Sequence, residues 1–152
     1  MYNMEKKMKL HIDELALCGL NCKTCVRSSS GPIKESAETL LKHLEGFSSF
    51  AEKFSVVNPV YAGYKEFENF LTHLTKAECN GCRNGSECFS GCSAKKCHIE
   101  NNVNYCFQCA EFPCSRNSFP PALEEKWKNN NNFMKENGVQ AFYDKQAKEP
   151  RY

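Results

Sequence analysis

The chain has 152 residues, 41% hydrophobic and 25% charged, with six prolines and eight glycines, the usage of one ordinary globular domain. No run approaches the roughly 18 consecutive apolar residues of a membrane helix, and the amino-terminal stretch holds only the short apolar run Leu15-Ala16-Leu17, so neither an anchor nor an export signal is expected and the protein is read as cytoplasmic. A formal charge of +2, with five Lys/Arg against four Asp/Glu over residues 76–116, does not support a phosphate-binding face, and no nucleic-acid or membrane partner is expected.

In chain order, Gly31-Pro32 is a start signal, and Ala37, Leu40, Leu41, Leu44, Phe47, Ala51 and Phe54 then recur every three to four residues. This predicts a helix over 33–54 with a break point at Gly46. Asn58-Pro59 is a second start, and Val60, Tyr64, Phe67, Phe70, Leu71 and Leu74 predict a helix over 59–76. Both stripes are aromatic-rich and are read as core rather than as a ligand groove. After Phe119-Pro120-Pro121, the residues Leu123, Trp127, Phe133 and Met134, and beyond Gly138 the residues Val139, Phe142 and Tyr143, predict helices over 121–136 and 138–147. Trp127 and Phe133 suit a core or an interface equally. Asn129 to Asn132 is read as a solvated helix face or a turn, because Asn side chains compete for backbone hydrogen bonds.

The departure from average usage is cysteine. Cys18, Cys22 and Cys25 lie near the amino terminus; the other eight are Cys79, Cys82, Cys88, Cys92, Cys97, Cys106, Cys109 and Cys114. In a reducing compartment thiols stay thiols or bind metal, and an odd count of eleven fits poorly with complete disulfide pairing. Three Cys-x2-Cys pairs occur, Cys22–Cys25, Cys79–Cys82 and Cys106–Cys109. Two intervening residues let a tight turn aim both sulfurs at one ion, and Asn80-Gly81 tolerates the positive φ such turns often need.

All eleven cysteines are candidate metal ligands, and Zn²⁺ in at least two closed tetrahedral sites is the favoured occupant. Two all-cysteine sites would use eight of them, whereas three sites would need His98 or a bridging thiolate as a twelfth ligand. Each Zn²⁺ held by four thiolates is a net −2 unit, so two sites would bring the formal +2 to −2. Because residues 76–116 hold few large apolar side chains, metal would have to supply much of that lobe's cohesion, on the order of 10 kcal/mol. At least one site is expected to join the amino-terminal cysteines to the later block and to clip the helical insertion between them. His11, His43 and His73 read as structural.

An iron-sulfur cluster is the alternative cofactor. Cys18-x3-Cys22-x2-Cys25 has the spacing by which radical S-adenosylmethionine enzymes hold a cluster, but the chain is too short for their barrel. Cys106-x2-Cys109-x4-Cys114 faintly resembles ferredoxin runs, with a different spacing and proline position.

The run Leu17-Cys18-Gly19-Leu20-Asn21-Cys22-Lys23-Thr24-Cys25, followed by Cys79-Asn80-Gly81-Cys82, Cys92-x4-Cys97-x8-Cys106-x2-Cys109 and Glu111-Phe112-Pro113-Cys114, resembles the cysteine-rich prokaryotic family called domain of unknown function 3795. Ten cysteines fall on that pattern and Cys88 is the eleventh. The insertion between Cys25 and Cys79 is longer than in compact members, and the tail with Trp127, Asn130, Met134, Gly138 and Phe142 is similar to the extension of longer members. The resemblance implies a cytoplasmic zinc-binding protein with no established activity.

The expected fold is mainly α with small irregular β: one domain, 1–152, made of an amino-terminal knuckle (18–25), a helical insertion (33–76), a zinc-ribbon-like cysteine lobe (79–114) and a helical tail (119–152). The expected function is a zinc-stapled binding or regulatory module for a protein or small ligand. An iron-sulfur electron carrier is the alternative. With no acid/base pair or phosphate loop in view, a zinc hydrolase, or a thiol sensor using Cys18, Cys88 or Cys114, has less behind it.

Overall fold

The computed structural model describes residues 13–152; His11 lies outside them. The chain divides into two compact units, one formed by residues 24–79 and one by the segment up to Lys23 together with Asn80–Tyr152. Six α-helices lie wholly within the described residues.

In the first unit, Gly31 is extended and Pro32 opens α1 (Pro32–His43), with Glu35 in the first turn and Lys42 and His43 in the last, each complementing the helix dipole. The chain breaks at Gly46, whose φ of +79° a side chain would resist, and restarts as α2 (Phe47–Phe54). The Asn58 side chain accepts from the Val60 N–H at 3.2 Å and caps a 3-10 turn (Pro59–Gly63) that leads into α3 (Tyr64–Thr75). The predicted helix over 59–76 is therefore a 3-10 turn followed by an α-helix.

Helix α1 packs on α3, and Ala37, Ala51, Tyr64 and Leu71 are buried. The core reading of the two stripes holds for these four and fails for Leu40, Phe54, Val60, Phe67 and Phe70, which are 39–72% exposed. Three helices of eight to twelve residues carry more aromatic surface than they can cover. Rings shield one another instead, as where Phe50 stacks on Phe54 at 4.2 Å. A parallel bridge between Ser28 and Cys79 ties the two ends of this unit together.

The second unit contains α4 (Ala94–Glu100), α5 (Pro121–Asn137) and α6 (Val139–Gln146). Helix α5 buries Trp127, Asn131 and Met134, spaced four and three residues apart on one face. Two clusters form on that face. Met134 joins Leu15, Tyr105 and Phe142, while Trp127 joins Ala16, Cys18 and Phe119. Trp127 is thus core. Asn131 is fully buried, which corrects the solvated-face reading for that residue, whereas Asn129 and Asn132 are exposed: Asn131 shares the stripe of Trp127, and its amide is satisfied from backbone groups.

The small β component and the zinc-ribbon element are not found. Among the described residues backbone pairing is limited to two isolated bridges, Leu15 with Asn21 and Ser28 with Cys79. The cysteine segments are held by turns and side-chain bonds, which leave no run long enough for a ladder. No helix of the described residues is long and apolar enough to cross a membrane.

Candidate metal centre

The loop carrying Cys18 is closed by backbone bonds from Ala16 N–H to the Leu20 carbonyl (2.8 Å), Gly19 N–H to Ala16 (2.9 Å) and Cys22 N–H to Glu14 (2.8 Å). Gly19 has φ +80°, and a Cβ there would stand 2.9 Å from Asn130 Cβ and 3.0 Å from Met134 Cε. Both the turn and the close approach of α5 require glycine. Two asparagines fasten α5 to this loop: Asn130 Nδ2 donates to the Gly19 carbonyl at 3.1 Å and Asn131 Nδ2 to the Cys18 carbonyl at 3.1 Å.

The turn from Cys79 to Cys82 carries Gly81 at φ +86°, and a Cβ built there would meet Cys22 Sγ at 4.0 Å. Next to Cys82, Arg83 donates through Nε to the Leu15 carbonyl at 2.9 Å and through Nη2 to the Asn104 carbonyl, with its guanidinium 5.0 Å over the Tyr105 ring. Cys106 is anchored by its own N–H to the Leu17 carbonyl at 3.1 Å, and Phe107 N–H donates to Asn131 Oδ1 at 3.0 Å. Downstream, Ser93 Oγ bonds the Arg116 carbonyl (2.9 Å) and Asn117 Oδ1 (2.8 Å), holding the start of α4 against the chain after Cys114.

These ties place thiols in two overlapping neighbourhoods, one packed around the cluster of Cys18 and one lining a cavity. Cys18 is buried, and burial first, then the neighbouring Cys82, Cys92 and Cys106, drives its thiol strongly away from ionisation, against a backbone bond at Leu20 that favours the thiolate. Cys92 is pushed the same way by burial and by Cys82 and Cys88, opposed by the Ala94 and Lys95 N–H groups. Cys106 rises to about 11 through burial, with Cys92, Cys114 and Cys97 adding to the shift and the Trp127 indole N–H opposing it. The second group, Cys97, Cys106, Cys109 and Cys114, lines a cavity of about 30 Å³ together with His98, Phe112 and Trp127. That volume admits a body the size of a water molecule.

Cys106 stands in both groups. His98 Nδ1 lies 3.3 Å from the Ala94 carbonyl one turn earlier, and Arg116 Nη1 lies 4.0 Å from Cys97 Sγ while its other nitrogen pairs with Glu111 at 3.0 Å. Cys88 is exposed, and Cys25 and Cys79 belong to the other unit, where Cys79 N–H donates to the Arg27 carbonyl at 2.9 Å. Among the described residues no three Cys, His, Asp or Glu side chains meet as a metal-binding group. None of the eleven cysteines is in a disulfide.

Asn131 escaped the sequence reading of this centre, and Trp127 entered it only as a core or interface residue. The signal was there in the helical spacing, since Asn131 falls four residues after Trp127 and three before Met134, inside the apolar stripe.

The fold and the centre define a small helical protein in which Cys18, Cys22, Cys82, Cys92, Cys106 and Cys114 pack in one cluster with Trp127 of the longest described helix. The chain belongs to the family described as Protein of unknown function (DUF3795), which matches residues 14–118. The match takes in all eleven cysteines and ends before α5. No curated protein and no solved structure matches the chain.

Proposed function

We propose that this chain binds zinc through its cysteines and that the metal is structural, holding the loops of the cysteine lobe as a binding or regulatory surface. Cys18 is the observation that carries the reading: a buried thiol with Cys82, Cys92 and Cys106 packed against the cluster it belongs to. A dication suits such a cluster, because it deprotonates coordinating thiols and replaces mutual repulsion with attraction to one centre.

Zinc would draw Cys18, Cys82, Cys92 and Cys106 into one site and Cys97, Cys106, Cys109 and Cys114 into the other, with Cys106 shared, although no three of these described side chains meet as a metal-binding group. The donor chemistry fits zinc, for which all-cysteine shells are the closed, structural kind. Once bound, the metal supplies a cross-link between loops; the chain's own residues, through Asn131, Arg83 and Ser93, bring those loops near one another beforehand. Eleven cysteines outside any disulfide suit a reducing, cytoplasmic setting. The partner we favour is a protein or small ligand rather than nucleic acid, since metal-bound thiolates remove the small basic excess.

The test is elemental analysis with a visible spectrum on untagged protein purified without oxygen. About two zinc per chain with no band near roughly 400 nm supports the reading. Stoichiometric iron and a brown colour replace it with an iron-sulfur carrier, and a metal-free, folded protein overturns it.

A further inference from the structure

We infer that Trp127 is a positioning residue of the metal centre: its indole N–H donates a hydrogen bond to the Cys106 sulfur in its metal-bound form, and Asn131, one turn later, keeps the loops of Cys18 and Cys106 in register with it. This rests on the zinc reading above.

Trp127 is 1% exposed, and its Nε1 is buried without a hydrogen-bond partner. Native interiors rarely leave such a group unmatched. Cys106 packs against the cluster that holds Trp127 and lines the same cavity, and the indole N–H favours its thiolate. A neutral thiol is a weak acceptor, so the N–H gains its proper partner when a metal removes the thiol proton. The ring has little freedom to turn elsewhere: Phe112 meets it edge-on at 5.1 Å and 79°, Phe119 at 5.9 Å and 70°.

Asn131 fixes the other coordinates. Both amide hydrogens are used, on the Cys18 carbonyl (3.1 Å) and the Trp127 carbonyl (3.0 Å), and its oxygen accepts from Phe107 N–H (3.0 Å), the residue after Cys106. One fully buried side chain thereby sets the distance between the two cysteine loops and the turn of α5 that bears the indole. Groups that orient metal ligands in this way contribute measurably to affinity. Both residues lie beyond residue 118, outside the family match, so this support comes from the tail.

Trp127 is the single tryptophan of the chain, so the ¹⁵N–¹H spectrum contains one indole resonance. Titrating the metal-free, full-length protein with zinc is expected to move that proton downfield and slow its exchange. Loading with ¹¹³Cd is expected to show coupling between the metal and the indole proton, which only a bond to a ligating sulfur produces. In parallel, Trp127→Phe is expected to raise the zinc Kd on the order of 10- to 100-fold, while Asn129→Ala, on the exposed face of the same helix, leaves it unchanged. An indole resonance indifferent to zinc in a wild-type protein that does bind zinc overturns the inference alone, and this result stands even if Trp127→Phe does not fold. A wild-type protein that binds no zinc overturns the zinc reading and this inference together.

Discussion

Asn131 Nδ2 donates to the carbonyl oxygen of Cys18 at 3.1 Å, a buried contact that closes 113 residues of chain. It joins the first cysteine of the sequence to a helix that begins after the last one.

Because Asn131 answers three backbone groups at once, replacing it strands the Cys18 carbonyl and the Phe107 N–H. Each orphaned group costs about 1–3 kcal/mol. Asn131→Leu is therefore expected to lower the unfolding free energy by roughly 3 kcal/mol in urea titrations at matched metal loading. Asn131→Asp should do more damage, since it sets a buried carboxylate against two carbonyl oxygens. Equal stability of the aspartate variant and the wild type would sink this account.

Gly19 is expected to be intolerant of any side chain. Gly19→Ala must hold φ near +80° and push back Asn130 Cβ, 2.9 Å away, a backbone penalty of about 1–3 kcal/mol before the clash is counted. Thermal denaturation should show a lowered midpoint, whereas Gly85→Ala, also at positive φ but with open space around its Cβ position, should cost only the backbone part.

The two groups of thiols share Cys106, so variants at the three kinds of position should differ in metal content. Cys106→Ala is expected to lower zinc per chain more than either Cys18→Ala or Cys109→Ala. Identical losses from all three, measured by colorimetric zinc release, would mean that the groups do not share a ligand.

Tyr143 and Glu14 give a pH dependence independent of the cysteines. The Tyr143 hydroxyl donates to the Glu14 carboxylate, and this bond, with burial and the negative charge of Glu14, raises the phenol from its ordinary 10 to about 12. The folded state holds the proton more tightly than the unfolded chain, so the contribution is complete below pH 10 and is lost as pH rises toward 12. Cys106 also titrates late, at about 11, so the informative quantity is the difference between wild type and Tyr143→Phe. That difference should shrink across pH 10–12 in denaturation curves followed by circular dichroism; a constant difference would dismiss the Glu14 bond.

Much of the helical framework was legible from local chemistry. Pro32, Pro59 and Pro121 stand at helix or turn starts, Gly46 and Gly138 at breaks, because prolines and glycines act through their own φ preferences and need no distant partner. Helix α4 was missed because seven residues are too few to show a period. The aromatic surface of α2 and α3 was misjudged for a different reason: periodicity reports which face is apolar and is silent on whether anything covers it.

By itself the sequence determined most helix starts and breaks and the inventory of thiols, since both depend on residue type and short spacing. The tertiary structure decided which thiols share surroundings. Cys18, Cys82, Cys92 and Cys106 come from separate segments, and they share one cluster with Trp127 of α5. A thiol's ionisation and its capacity to take a metal depend on desolvation and neighbouring charge, and these are properties of packing between distant segments rather than of any motif.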